Sequence, residues 1–201
     1  MPKFEYGTVV SRRRKYPVDF SSYPLTTDRD GRMADPLLKC ESVLEVGAGE
    51  RKFLPDFSGA YFTMDVDRST KQDFYSIDEI KGSFDGIVMR EVVEHISRET
   101  FYSYLEKFYA CLNPGGVLVL STPNPMSVQF WTDYTHISPW PIHDMCSILE
   151  SYGFENISIY RVIWPSKFLW LKRVYWNFHS RMYLADYAGA YVAISRKPTI
   201  P

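Results

Sequence analysis

Residues Val117-Leu118-Val119-Leu120 are apolar at four consecutive positions. Successive side chains of a strand point to opposite faces, so such a run needs cover on both sides. That excludes a sheet with one face in water. Further short apolar runs occur at 42–47, 60–65, 84–89, 157–162 and 190–194. Helical spacings lie between some of them. Phe101, Leu105, Phe108 and Leu112 recur at intervals of 4, 3 and 4 after Ser97, a capping residue. Met145, Ile148, Leu149 and Tyr152 follow Pro141 and are stopped by Gly153. Asn113-Pro114-Gly115-Gly116 reads as a break between helix and strand. The alternation predicts an α/β, doubly wound, mostly parallel sheet with helices on both faces.

The chain has 201 residues, 45% of them hydrophobic and 23% charged, enough for one domain with a full core. Its net charge of −1 does not favour nucleic acid as the main partner. Cys40, Cys111 and Cys146 are far apart, which excludes a disulfide framework and a cysteine zinc site. The first residues, MPKFEYGTVVSRRRK, hold no apolar run of the secretory kind, and no spanning segment is present. The expected location is cytoplasmic, with peripheral membrane contact as an addition.

Residues 1–41 read as an N-terminal arm, irregular and packed on the domain through Phe4, Tyr6, Tyr16, Phe20 and Tyr23. No leading helix is evident before Ser42. Arg12, Arg13, Arg14 and Lys15 form a basic run, either a solvated face or a clamp for an anionic substrate. Residues 42–201 then form the main domain, with an aromatic insertion at 164–187. Trp164, Phe168, Trp170, Tyr175, Trp176, Phe178, Tyr183 and Tyr187 are interleaved there with Lys167, Lys172, Arg173 and Arg181. Core closing over a substrate is the favoured reading of the insertion. An interfacial membrane helix and a dimer surface are the other two.

Glu45-Val46-Gly47-Ala48-Gly49-Glu50 leaves the first long strand through glycines, which let a backbone turn sharply and a ligand approach closely. The third glycine of a dinucleotide fingerprint is replaced by Lys52, which disfavours a nicotinamide enzyme. Asp65 ends the second of these strands, where a carboxylate can accept both hydroxyls of a ribose; Asp67 is its rival.

These segments resemble, in order over about residues 42–163, the class I S-adenosylmethionine-dependent methyltransferases of the small-molecule branch. Val43–Gly49 is similar to the family's first motif, Asp65 to its ribose acid, and Asp73-Phe74 to its adenine-binding pair. Phe84–Met89 with Glu91–Ile96, and Leu112–Leu118 with Ser121-Thr122-Pro123-Asn124, are similar to the fourth and fifth strands with their exits. The resemblance implies a Rossmann-like, seven-stranded sheet with one antiparallel strand near the C-terminus. It implies S-adenosylmethionine as cofactor and S-adenosylhomocysteine as product. The cofactor residues would be Glu45, Gly47, Ala48, Gly49, Asp65, Val66, Asp73, Phe74, Met89 and Arg90. The acceptor would be a small or lipid-linked molecule, with O-methylation favoured. A non-catalytic, methyltransferase-like partner subunit is the alternative. The spacing from Asp65 to Asp73 is too short for the helix that the family places there.

Glu91, Glu94 and His95 stand at i, i+3 and i+4 and would share a helix face. A similar segment binds a divalent metal in ubiquinone-pathway O-methyltransferases; here no metal is expected, and the three act by packing and polar contact. His136, in a loop after the fifth strand, is either a catalytic base or a structural histidine. Glu91, His95, Tyr134, Trp170 and Trp176 complete the expected acceptor site.

Overall fold

The computed structural model describes residues 6–164, 171, 174, 175, 178, 182 and 185–199. In chain order its main elements are α1 (Tyr6–Arg13), β1 (Leu25–Thr26), α2 (Arg29–Leu37), β2 (Ser42–Val46), β3 (Ala60–Met64), β4 (Phe84–Arg90), α3 (Arg98–Cys111), β5 (Leu112–Pro123), α4 (Ile142–Ser151), β6 (Glu155–Val162) and β7 (Ala190–Arg196). The apolar run 117–120 lies in β5, in the middle of a seven-stranded sheet ordered β1-β6-β7-β5-β4-β2-β3. β7 runs antiparallel to both β5 and β6, and the other pairs are parallel.

Alternation along the strands sorts the core into two layers. Leu118 and Leu120 of β5 face a layer with Phe101, Leu105 and Phe108 of α3 and Met145 and Leu149 of α4. Val117 and Val119 face the other side, where Met33 and Leu37 of α2 meet Val43 and Val88. The run is thus buried on both faces, as its composition requires.

Two features differ from the sequence reading, and the lack of a helix after Asp65 agrees with it. Residues 1–41 are not irregular throughout. α2 begins at Asp28, whose side chain accepts the Gly31 N–H, and its only buried residues are Met33 and Leu37, one turn apart. Two apolar residues are a weak helical signal, and Pro36 in the last turn reads as a breaker. The helix lies so close to β4 that a Cβ on Gly86 would meet Leu37 Cδ2 at 2.8 Å. β1 supplies the seventh strand: Leu25 and Thr26 pair with Arg161 and Val162 at the sheet edge. At the opposite edge the chain after Asp65 forms no helix and returns only one bridge, Met64 to Phe74.

Asn113-Pro114-Gly115-Gly116 is not a loop but a bulge inside β5. Phe84 pairs with Leu112 and Gly86 with Val117, so extra residues are absorbed between them. Gly115 takes φ +79° there. The basic run turns inward onto the protein's own acids. Arg13 pairs with Asp144 at 2.9 Å and Lys15 with Glu150, holding α1 against α4.

Candidate active site

The strands β2, β3 and β4 are parallel and end together, and the chain leaving each of them lines one cleft. Its walls are Val46, Gly47, Met64, Asp65, Val66, Glu91, Val92, His95, Ile96 and Tyr104. The cleft's cavity volume is about 170 Å³ and it opens to solvent, a shallower space than the ~300–1,000 Å³ usual for small-molecule sites. Two glycines shape its floor. Gly47 has φ +77°, and a Cβ on it would meet Val92 Cγ2 at 2.3 Å. Gly49 has φ +58° with open space where a Cβ would stand. Both conformations belong to glycine; at Gly47 the missing Cβ admits the Val92 side chain, and at Gly49 it leaves open space. Ala48, between them, is buried.

Asp65 is fixed by this turn. One carboxylate oxygen accepts the Gly49 N–H at 2.8 Å and the other accepts the Asp67 N–H at 2.9 Å. Each oxygen keeps a second lone pair, so the group is oriented without being used up. That pair of acceptor oxygens fits a ligand bearing two vicinal hydroxyls. Val66 is beside it, largely exposed on the cleft rim.

Other residues expected at the cofactor have different positions. Glu45 is buried on the far side of the glycine turn and accepts hydrogen bonds from Phe53 N–H at 2.9 Å and the Tyr61 hydroxyl at 2.7 Å. Burial raises its pKa, opposed by those bonds and by Arg90 and Lys52. Its role is to hold the loop after β2. Arg90 lies over the Phe53 ring, 5.2 Å from its centroid, and joins the same group. Asp73 accepts the Thr63 N–H at 2.8 Å and the Thr63 hydroxyl at 3.2 Å, fastening the chain along β3. Phe74 stacks with Phe62. The Met89 side chain is fully buried in the core. None of these five lines the cleft.

The Glu91–His95 segment also departs from expectation. Residues Val93–His95 form one 3-10 turn, not the start of an α-helix, and Glu91 takes φ +53°. The shared face is lost as a result. Glu91 accepts from Ser121 Oγ at 2.6 Å and faces Arg29 Nη1 at 3.6 Å, near the start of α2. Glu94 accepts from Thr122 Oγ1 at 3.0 Å. Ser121 and Thr122 are neighbours on β5 and point to opposite faces, which separates the two acids.

His136 comes up against His95 from another loop. Its loop is fastened to the 93–96 turn by backbone: Ile137 and Ser138 N–H groups donate to the Glu94 carbonyl at 2.8 and 3.0 Å, and Trp140 Nε1 donates to the Val93 carbonyl at 3.0 Å. The rings of His95 and His136 lie 5.0 Å apart. His136 Nδ1 is 2.8 Å from the Phe130 carbonyl oxygen, and His95 Nδ1 is 3.2 Å from that of Thr135. A carbonyl can only accept, so each Nδ1 carries a proton, and in the neutral imidazole each Nε2 is the atom with the lone pair. Glu94 is buried, and burial followed by the charge of Glu91 raises its pKa to about 8.

Tyr134 is almost fully exposed at the tip of this loop. Trp170 and Trp176 lie outside the described residues. Arg29 and Tyr104 escape the sequence reading. Arg29 belongs to the unrecognised α2, and Tyr104 looks like one more aromatic on the buried stripe of α3.

This architecture defines a Rossmann-like methyltransferase. Residues 23–159 match the family described as "Methyltransferase domain", and the chain belongs to that family. It is a class I S-adenosylmethionine-dependent methyltransferase. It is similar in fold to a SAM-dependent methyltransferase from Archaeoglobus fulgidus, with 17% identity, 96% of this chain and 100% of that one covered, and a TM-score of 0.67. N-methyltransferase NodS from Bradyrhizobium japonicum has 14% identity, 96% and 98% coverage and a TM-score of 0.54. Phosphoethanolamine N-methyltransferase 2 from Haemonchus contortus has 13% identity, 94% and 56% coverage and a TM-score of 0.58. No curated protein sequence matches the chain.

Proposed function

We propose that the chain methylates a hydroxyl of a small or lipid-linked acceptor, the lipid-linked class being favoured, and that it rests on a membrane surface while doing so. S-adenosylmethionine supplies an electrophilic methyl group. The chain's residues bind it and dispose of a proton. Gly47, Ala48 and Gly49 leave room for it, and Asp65 offers the lone pairs for its ribose. A hydroxyl acceptor has to lose its proton as it is methylated. His95 lines the cleft and the His136 ring lies 5.0 Å behind it, so the imidazole Nε2 of His95, backed by His136, is the group able to receive it. An amine acceptor would make less use of this group.

The observation that carries the lipid reading lies in the aromatic insertion. Leu171, Val174, Tyr175, Phe178 and Met182 are helical and all exposed, as is Trp164 before them. Spacings of 3, 1, 3 and 4 put the five on one face. Residues 164–185 carry Lys167, Lys172, Arg173 and Arg181 and no carboxylate. An apolar stripe with cations suits the headgroup region of an anionic bilayer, each basic residue adding ~1 kcal/mol near the surface. Among the described residues no helix is long and apolar enough to cross a membrane. The exposed stripe departs from the favoured expectation that this stretch is core.

Sedimentation with vesicles tests the surface. The wild-type chain should bind vesicles of phosphatidylcholine with 30% phosphatidylserine, or about that, severalfold better than pure phosphatidylcholine. Val174→Asp with Phe178→Glu should abolish this while calorimetric binding of S-adenosylhomocysteine is retained. Equal, weak binding to both vesicles would remove the lipid-linked reading and leave a soluble acceptor.

A further inference from the structure

We infer that Glu94, His95 and His136 form a binding site for one divalent transition-metal cation at the wall of the cleft. One ligand atom from each residue lies within 4.8 Å of the others. The site rests on more than this proximity. The Glu94 side chain is 1% exposed, and its Oε1 has no hydrogen-bond partner among the described residues. An oxygen so desolvated and left without a donor carries an uncompensated penalty. His95 Nε2 lies 3.8 Å from Oε1. That separation is too long for a hydrogen bond. It suits two ligands of one cation, because bonds of ~2.0–2.2 Å set neighbouring donor atoms roughly 3–4 Å apart.

The surroundings are those of a ligand set. Both imidazoles give their Nδ1–H to backbone carbonyls, which fixes the tautomer with Nε2 free. The second oxygen of Glu94 is held by Thr122 Oγ1. Metal-binding histidines and carboxylates are oriented in this way by their outer partners. Asp133 Oδ2 lies 3.7 Å from His136 Nε2 and adds negative charge at the open side. Two imidazoles and one carboxylate favour manganese, iron, cobalt or zinc over magnesium or calcium, which prefer oxygen alone. The sequence reading expects no metal here, and the set is not visible in its spacing, since Glu91 turns towards Ser121 and Arg29 and His136 comes from a distant loop.

His95 lines the cleft as well as the cluster, so a cation held here would border the acceptor's side of the site. This role deepens the hydroxyl-acceptor reading and rests on it. The binding of the ion does not. A bound cation would fix an acceptor oxygen and lower the pKa of its proton. It would also supply the partner that Glu94 Oε1 lacks.

The test uses cobalt(II) chloride alone on the metal-stripped chain, followed by calorimetry and visible absorption. One saturating equivalent is expected. His95→Ala and His136→Ala should each weaken it by about tenfold or more, and Thr122→Val by a smaller factor. His143→Ala and His179→Ala, at the other two histidines, should leave it unchanged. His95 is partly exposed, so its variant is expected to fold. S-adenosylhomocysteine binding is measured on every sample. Normal cofactor heat with no saturable cobalt binding, or cobalt binding indifferent to His95 and His136, would overturn the metal site and leave the methyltransferase reading intact. Cobalt binding that needs both histidines, without cofactor heat, would support the site and count against the cofactor assignment.

Discussion

Asp186→Ala should lower the free energy of unfolding by about 3–5 kcal/mol, the usual cost of leaving a buried charge without its partner. Asp186 Oδ1 meets Arg161 Nη1 at 2.7 Å, with the two side chains 0% and 4% exposed. The same carboxylate accepts from Asn124 Nδ2 at 2.8 Å and from the Ala188 N–H at 3.1 Å. Arg161 Nε donates to the Tyr23 carbonyl at 3.2 Å. One buried group therefore joins β6, the approach to β1, the exit of β5 and the end of the aromatic insertion. The substitution would strand a guanidinium and an amide in the interior. Urea unfolding would read it as a lower midpoint with an unchanged slope. The double variant Arg161→Met with Asp186→Leu removes both charges and should recover most of the loss, since well-packed apolar pairs replace buried ion pairs at little cost. A loss under 1 kcal/mol in the single variant would show that water reaches the pair.

Asn124 shows how far such a network can be read in advance. Its segment, Ser121-Thr122-Pro123-Asn124, stands out as a strand exit, but its partner Asp186 lies beyond the aromatic insertion, and no local pattern joins them. What was legible was local. The run at 117–120 demanded cover on both faces, and Gly47, Gly49 and Asp65 announced a ligand-bearing strand end because turn, space and charge fall within one short stretch. α2 and β1 were hidden because Met33 with Leu37, and Leu25 with Thr26, are too few apolar positions to set a period. Glu91, Glu94 and His95 misled for a related reason. Their spacing has meaning on an α-helix, and the chain makes a 3-10 turn after a residue at positive φ. His136 reaches Glu94 only through backbone bonds of Ile137 and Ser138, which no side-chain spacing encodes. Asp73 has the right residue type in the right order, yet its carboxylate is occupied by Thr63. Order along the chain located the family; it did not locate every atom.

Asp65→Ala should cost about 1.5–3 kcal/mol of S-adenosylhomocysteine binding, because charge-assisted hydrogen bonds to the ligand are lost. That corresponds to a Kd about 10–150 times higher. The effect has two parts in this structure. The carboxylate would no longer receive the ribose hydroxyls, and the Gly49 and Asp67 amides would lose their acceptor. The second part loosens a turn whose glycines sit at positive φ and of which Gly47 lines the cleft. Asp65→Asn separates the parts. Its carbonyl oxygen can still accept from one amide, so the turn is partly kept while the charge is removed. Calorimetry should therefore rank the Kd values wild type, Asp65→Asn, Asp65→Ala in rising order. Asp65 is half-buried and outside the core, so urea unfolding of all three chains should give free energies within ~1.5 kcal/mol of one another, the size of a lost hydrogen bond. If Asp65→Ala binds the product as tightly as wild type, the ribose is held elsewhere. Asp67, two residues on, exposed and already bonded to the Ser69 amide, is then the next carboxylate to replace.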